Sequence, residues 1–500
     1  MSKIQKVNLD VFLLELFKNH IAIKDDDYKK AQEVFDEVFK QIKQKMGDQC
    51  NYFKKYSSQC FCGGSVADGI KVAKLDEFDM DIVIKLPISY EEGENGICLE
   101  NDSAGFVKLK ITKPFDHLDK QPEWEKCHKA TRDWRDPDKY LLQNKFRQWM
   151  HGIVQRAVNE MQGRVAVKDV SYLLTYKESG PAFTLNVRNE PGNEHFELDV
   201  DLVPVIRFSL PRWPENYRKI LGTQQKFWLV VPKPNKALTD NTLKNRCWRL
   251  SFQDFERDMI KGCQQLKTTI RLVKKMRDAL GLKAIASYYI KTLFLWKVHN
   301  NDKKYWENKL SVLFRAMVEE LRDAVRAANI PYFWNNQNNL IEGLRAGLQQ
   351  TYAKKLDDVL ASIDSNDVEK LASCLLTGEE LQAFRENDVF KKQLVSVNSS
   401  RSLSSPESPR PPDAARAGPS LDLAKAMQDQ IDRLVTELRD VRTELKKEID
   451  EKKSMQDQID GLACDMRDAK LEMDKLRSEM SYKKKFDALG VALGKALDID

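Results

Sequence analysis

The chain has 500 residues, of which 42% are hydrophobic, which supports two or three packed domains and argues against a disordered or fibrous protein. Its net charge of +6 is too mild to define a nucleic-acid binder by itself. The nine cysteines include no CxxC pair and no apolar run is long enough to cross a membrane, so neither a disulfide scaffold nor a membrane-spanning protein is expected. Reduced thiols and a cytoplasmic location are expected instead.

Residues 8–47 predict helix. Ala31, Val34, Phe35, Val38, Phe39 and Ile42 recur at spacings of three and four and give one buried face. Lys29, Lys30, Lys40 and Lys43 fall largely off that face, where solvated lysines are ordinary.

The stretch FCGGSVADGIKVAKLDEFDMDIVIK (61–85) reads as a Gly-rich turn, a short helix or loop, and a strand. Period-two alternation sets Phe78, Met80 and Ile82 on one face and Glu77, Asp79 and Asp81 on the other. Three like charges on one face repel unless cations sit there, and hard oxygen ligands suit Mg²⁺ or Mn²⁺. Gly63 and Gly64 give the backbone room to approach a triphosphate, to which Ser65 can donate. The bland alternative is a solvated strand edge.

Residues 86–110 hold a polar loop between strands. In 134–158, Asp136-Pro137-Asp138 reads as a helix start, followed by a core face of Leu141, Leu142, Phe146, Trp149 and Ile153. Residues 164–174 and 181–188 read as strands. FELDVDLVPVI (196–206) is a second acidic strand, with Glu197, Asp199 and Asp201 on one face. Two-metal phosphoryl transfer needs about three carboxylates converging on ions about 3.5–4 Å apart. From about 250 to 395 the pattern is almost wholly helical.

Residues 396–420 are Ser/Pro-rich with little apolar content and predict a disordered linker. Beyond it a heptad seam runs through Ile431, Leu438, Leu445, Ile459 and Met466, with Met427, Leu434, Val441, Met455 and Leu462 interleaved. Lys452 and Glu448 interrupt it. Such a seam predicts a coiled coil and an oligomer.

Several ordered motifs resemble one family. Gly64-Ser65, then Glu77-Phe78-Asp79, then Val200-Asp201-Leu202-Val203-Pro204 resemble the nucleotidyltransferase core of the cyclic GMP-AMP synthase-like receptors, within the male-abnormal-21 family. SGPAFTLNV (179–187), CWRLSFQDFER (247–257), IRLVKKMRDAL (270–280) and ASYYIKTLFLW (286–296) continue the match in order. The resemblance covers roughly residues 8 to 390; the heptad tail is not part of the family's shared core and is a departure from it or an addition to it.

The resemblance implies an α+β fold: a bilobal nucleotidyltransferase core, with a twisted mixed β-sheet lobe and a helical lobe, followed by the C-terminal coiled coil. The expected divisions are an N-terminal helical spine (1–55), a catalytic lobe (56–245), a helical lobe (246–395), the linker (396–420) and the coiled coil (421–485). Glu77, Asp79 and Asp201 are expected to bind two Mg²⁺ or Mn²⁺ ions; Asp199 and Asp81 share their faces and stay open as substitutes. Gly64, Ser65 and Lys274 would hold phosphates. Ser287 and Tyr288 would lie beside a base, and Arg249, Ser251, Gln253 and Glu256 near the acceptor nucleotide. Gln253 stands where the vertebrate enzyme's motif has Ser, which bears on base choice.

The implied reaction joins ATP and GTP into a cyclic dinucleotide in two transfers, in innate immune signalling. The vertebrate DNA sensor carries a His-Cys-Cys-Cys zinc insertion, whereas RDMIKGCQQLKTTIRLV (257–273) has one Cys and no His, so zinc is not expected. Invertebrate receptors of this type lack the insertion, and several respond to double-stranded RNA. That favours an RNA duplex as activator, read by shape and phosphate. In the family the N-terminal helix borders the duplex groove, which makes Lys29, Lys30, Lys40 and Lys43 candidate contacts. Two other readings compete: a template-independent RNA nucleotidyltransferase, and a non-catalytic scaffold of the same family.

Overall fold

The computed structural model describes residues 7–386 except 58, 104, 117–130, 180–181, 191–194 and 221. The linker and heptad tail lie outside the described residues.

Two N-terminal helices replace the single helical stretch. Asn8 caps Leu9–His20 by accepting from the backbone N–H groups of Asp10 and Val11. Asp25–Gln49 then buries Ala31, Val34, Phe35, Val38, Ile42 and Met46. Phe35 of this long helix stacks on Phe78, ring centroids 4.3 Å apart. That contact seats the helix on the strand carrying the first acids.

The sheet has ten strands: β1 (Gln59–Gly63), β2 (Glu77–Val83), β3 (Ile97–Asn101), β4 (Phe106–Ile111), β5 (Arg164–Val167), β6 (Val170–Ser179), β7 (Ala182–Asn189), β8 (Glu197–Ser209), β9 (Phe227–Val231) and β10 (Cys247–Ser251). β2 and β8 are parallel, and the other pairings are antiparallel, so the sheet is mixed. β8 is its hinge piece: residues 197–202 pair with β7, 199–205 with β2 and 206–209 with β9. One face of β8 buries Leu198, Val200 and Leu202 in the main core. On the other, Val203 and Val205 join Val83, Ala182 and Leu229 in a smaller cluster. Asp199 and Asp201 share that second face by strand alternation. That face is therefore acidic at one end and apolar at the other.

Asp136-Pro137-Asp138 does not start a helix. Asp136 accepts from the Tyr140 N–H and from Arg246, closing a turn, and the helix begins later, as Gln143–Glu160. The segment CWRLS is strand β10, which extends the sheet past residue 245, and Gln253–Ile260 is the first helix after it. Helices Leu266–Ala279, Ser287–Asn300, Leu310–Arg326, Ala346–Asp364, Val368–Leu375 and Gly378–Glu386 follow, interrupted by the hairpin β11 (Pro331–Tyr332) and β12 (Asn335–Asn339). Trp334 beside that hairpin packs on Phe252, centroids 4.4 Å apart, and on Phe255 and Trp213. The architecture is α+β, with one continuous core joining sheet and helices.

Candidate active site

Strand register builds the site. The antiparallel β1–β2 pair sets Gly63 opposite Asp79, the parallel β2–β8 pair sets Asp79 opposite Asp201, and the β7–β8 pair sets Asp201 opposite Thr184. These four form one row across the sheet. Glu77 and Asp199 form the neighbouring row. One carboxylate oxygen each from Glu77, Asp79 and Asp201 lie within 4.8 Å of one another.

Asp201 rather than Asp199 completes the group. Thr184 Oγ1 donates to Asp201 Oδ1 and fixes its orientation. Asp199 is turned to Asn186, which donates to it at 2.7 Å, and to Lys177 at 3.5 Å. Asp81 shares the acidic face but is only 7% exposed, and it accepts from Gln253 Nε2 at 2.6 Å.

The turn after β1 presses on this group. Gly64 has φ +66°, and a Cβ there would fall 1.6 Å from Asp79 Oδ2, so both the backbone and the space require glycine. Residues Gly64–Ala67 form a helical turn that carries Ser65, half-buried, beside the acids.

Burial pushes the Asp79 carboxyl up to about 6, and the charges of Glu77 and Asp201 add to the rise. Asp201 is raised by burial and then by Glu77, against the Thr184 hydrogen bond. The clustered charge opposes itself, and a cation relieves that cost. Three carboxylates with no nitrogen or sulfur donor fit a hard divalent metal.

Other expected residues fall into a separate buried network. Glu256 is 3% exposed and held on every side: Tyr288 OH donates at 2.7 Å, Trp334 Nε1 at 2.8 Å, and Lys291 Nζ lies 2.7 Å away. Burial works against its charge, yet Lys291 and these donors keep its carboxyl below the usual range. Lys291 also meets Asp68 at 2.6 Å, directly after the Gly64–Ala67 turn. Arg257 binds Asp68, Asp254 and the Cys62 carbonyl. The helical part is thus tied to the turn beside the acids.

Lys274 Nζ donates to the Ile70 carbonyl at 2.8 Å, and burial, then Arg277 and Lys71, bring its pKa down to about 8. Arg249 lies over the rings of Phe106 and Tyr332 with no carboxylate partner among the described residues. Ser251 ends β10 and Ser287 opens its helix, both half-buried. Lys29, Lys30 and Lys40 are exposed and Lys43 half-buried. Their helix face is mixed in charge: Lys40 pairs with Glu37, Lys30 lies over Phe196, and Lys29 lines a 510 Å³ groove with Glu33, Asp36 and Lys168.

Sequence reasoning missed Asp68, Lys71, Thr184, Lys291 and Trp334. Lys291 carried a usable signal, a lysine inside the apolar run YYIKTLFLW, since a charge buried there needs a partner.

This mixed sheet with an acidic triad beside a glycine turn, followed by a helical part, is the arrangement of a nucleotidyltransferase. Residues 66–262 match the Mab-21 protein nucleotidyltransferase domain, and residues 265–358 the Mab-21 protein HhH/H2TH-like domain. A cyclic GMP-AMP synthase-like receptor of Aethina tumida is 34% identical over 72% of this chain and 90% of its own length. One of Ctenocephalides felis is 32% identical over 77% and 91%, and one of Tribolium castaneum 29% identical over 79% and 99%. The chain belongs to the Mab-21 nucleotidyltransferase family, among the cyclic GMP-AMP synthase-like receptors. No helix among the described residues is long and apolar enough to cross a membrane.

Proposed function

We propose that the protein is a nucleotidyltransferase of innate immunity that joins ATP and GTP into a cyclic dinucleotide when double-stranded RNA binds. The observation that carries the reading is the triad of Glu77, Asp79 and Asp201 closed beneath the Gly64 turn. The relatives' shared name supports the product class.

Glu77, Asp79 and Asp201 would hold two Mg²⁺ or Mn²⁺ ions. Bound there, such ions activate an attacking ribose hydroxyl and neutralise the departing pyrophosphate. The chain's own side chains do the rest. Thr184 keeps Asp201 aimed at the triad, and Gly64 lets the turn approach it closely. Ser65 offers a hydroxyl and Lys274 an ammonium to the triphosphate. Arg249, unpaired with any acid among the described residues, is available to a phosphate or a base edge. Tyr288 and Glu256 support the pocket from behind, because each satisfies the other. Ser251, Gln253 and Ser287 line the acceptor and base positions in this reading, and Lys29, Lys30, Lys40 and Lys43 are the proposed duplex contacts.

The test is product analysis with all four labelled nucleoside triphosphates and Mg²⁺ or Mn²⁺, without nucleic acid and with duplex RNA or duplex DNA. A phosphatase-resistant cyclic product with RNA alone, lost in Asp79→Asn, is expected. Extension of RNA ends, or no product from folded protein, overturns the proposal in favour of a polymerase or a scaffold.

A further inference from the structure

Lys71 stands where a cation would compete with it. Its Nζ lies 2.9 Å from Asp76 Oδ1 and 3.1 Å from Glu77 Oε2, and its side chain is only 16% exposed. The two carboxylate side chains remain 46% and 45% exposed, so they are more open to approach from solvent than the lysine is. The anchor is firm on one side, because the Asp76 carbonyl accepts from the Asp199 N–H and ties Asp76 to β8. Among the described residues, Glu77 is the single member of the triad that has an ammonium on it. The residue before Lys71 is Ile70, whose carbonyl accepts from Lys274 Nζ. Lys71 and Lys274 are thus close enough in the fold for the charge of Lys71 to help lower the Lys274 pKa.

We propose that Lys71 is the resting counter-ion of Glu77, displaced by the incoming divalent cation and then free to pair with the substrate's triphosphate. The inference rests on the metal-site reading given above. Lys71 is a positioning residue in the resting protein. It holds Glu77 in place without a metal and makes cation entry an exchange of one positive partner for another, so the site fills at a higher cation concentration than an unopposed triad would. A Mg²⁺–nucleotide complex brings both the ion that takes Glu77 and the phosphates that take Lys71, so it favours the exchange more than the ion alone.

The test is Mn²⁺ titration of the full chain without nucleotide, followed by the electron paramagnetic resonance of free Mn²⁺. Lys71→Gln is expected to tighten Mn²⁺ binding by about three- to fivefold, the upper part of the range for loss of a competing, partly exposed ion pair. Lys177→Gln removes the same charge near the cluster but touches Asp199 rather than the triad. It is expected to change binding by less than about twofold. Equal affinity in Lys71→Gln and wild type, or equal tightening in both variants, overturns the proposal. Glu77→Gln separates the two readings: if it leaves Mn²⁺ binding intact, the metal site is not at the triad and both fall. A second measurement needs no variant. Acetylation of Lys71 by acetic anhydride, read by peptide mass spectrometry, is expected to speed up when Mn²⁺ is added to wild type, and an unchanged rate overturns the displacement.

Discussion

At Gly64 any side chain meets two obstacles, a φ of +66° and the Asp79 carboxylate 1.6 Å from where its Cβ would lie. Left-handed backbone costs an L-residue about 1–2 kcal/mol, a loss a domain of this size survives. The overlap must instead be relieved by moving Asp79 or the turn, and a shift of about 1 Å in a positioned group costs roughly a hundredfold in rate. Gly64→Ala is expected to stay folded and to lose at least about that much activity, as a thermal melt and a turnover assay on one preparation will tell. Lys274 gives a pH signature. With its folded pKa brought down to about 8, it loses its proton in the ligand-free protein well below the ordinary lysine value. A depressed lysine weakens folding while it must be charged, and that penalty lifts as pH rises through 8 toward the ordinary lysine value. A triphosphate prefers the ammonium, so the KM for nucleotide is expected to climb as pH passes 8, and Lys274→Gln is expected to abolish that slope. The acids and the glycine turn were legible because alternation and Gly-Gly are local patterns. The partners Thr184, Asp68 and Lys71 were not, because pairing across strands and loops leaves no spacing in the chain.

The elements around the site depend on a buried exchange of charge between parts distant in sequence. Lys291 in helix Ser287–Asn300 sits between Glu256 in helix Gln253–Ile260 and Asp68 after the Gly64–Ala67 turn. Breaking a buried pair strands the remaining charges, at about 3–5 kcal/mol. Lys291→Met is expected to lower stability by that order in urea denaturation. The pH range follows from the shift of each partner. The Glu256 carboxyl is held low, so its contribution is complete above the ordinary carboxylate range and disappears as pH falls through its folded value. Lys291 is held high: burial opposes its charge, but Glu256 and Asp68 outweigh burial. Its contribution disappears as pH rises through that folded value. The gap between wild type and Lys291→Met should be flat through neutral pH and close at both extremes. A gap that is widest at low pH would mean the lysine is doing something else. Which strands exist was largely readable from period-two patterns, including β2 and β8. Their parallel register, which sets Asp201 opposite Asp79 and Asp199 opposite Glu77, was not, because register is set by packing on both faces of the sheet. The false helix start at Asp136 has the same origin: its carboxylate caps a turn and an arginine far along the chain instead of a helix.

The described residues form one body whose core runs from the first helix to Phe384, and this accounts for how well the sequence anticipated an α+β enzyme. β10 continues the sheet as far as Ser251, and aromatic packing around Trp334 covers the junction with the helices that follow. The tail lies outside the described residues, and what is expected of it comes from the sequence alone. A heptad seam through Leu438 and Leu445 predicts association, and the Ser/Pro composition of 396–420 predicts a tether with a root-mean-square span of about 25–30 Å. Cores joined by such tethers would meet the same RNA duplex as a linked set, and linkage raises apparent affinity without any new contact. Leu438→Glu with Leu445→Glu in the full chain places two charges on the seam. The expected result is a fall to monomer mass by light scattering, with more duplex needed for half-maximal product and the same turnover at saturating duplex. Thr436→Glu, off the seam, should change neither. An unchanged mass in the double variant would mean the heptads do not assemble the protein. A monomer with unchanged duplex dependence would mean they assemble it for some purpose other than holding RNA.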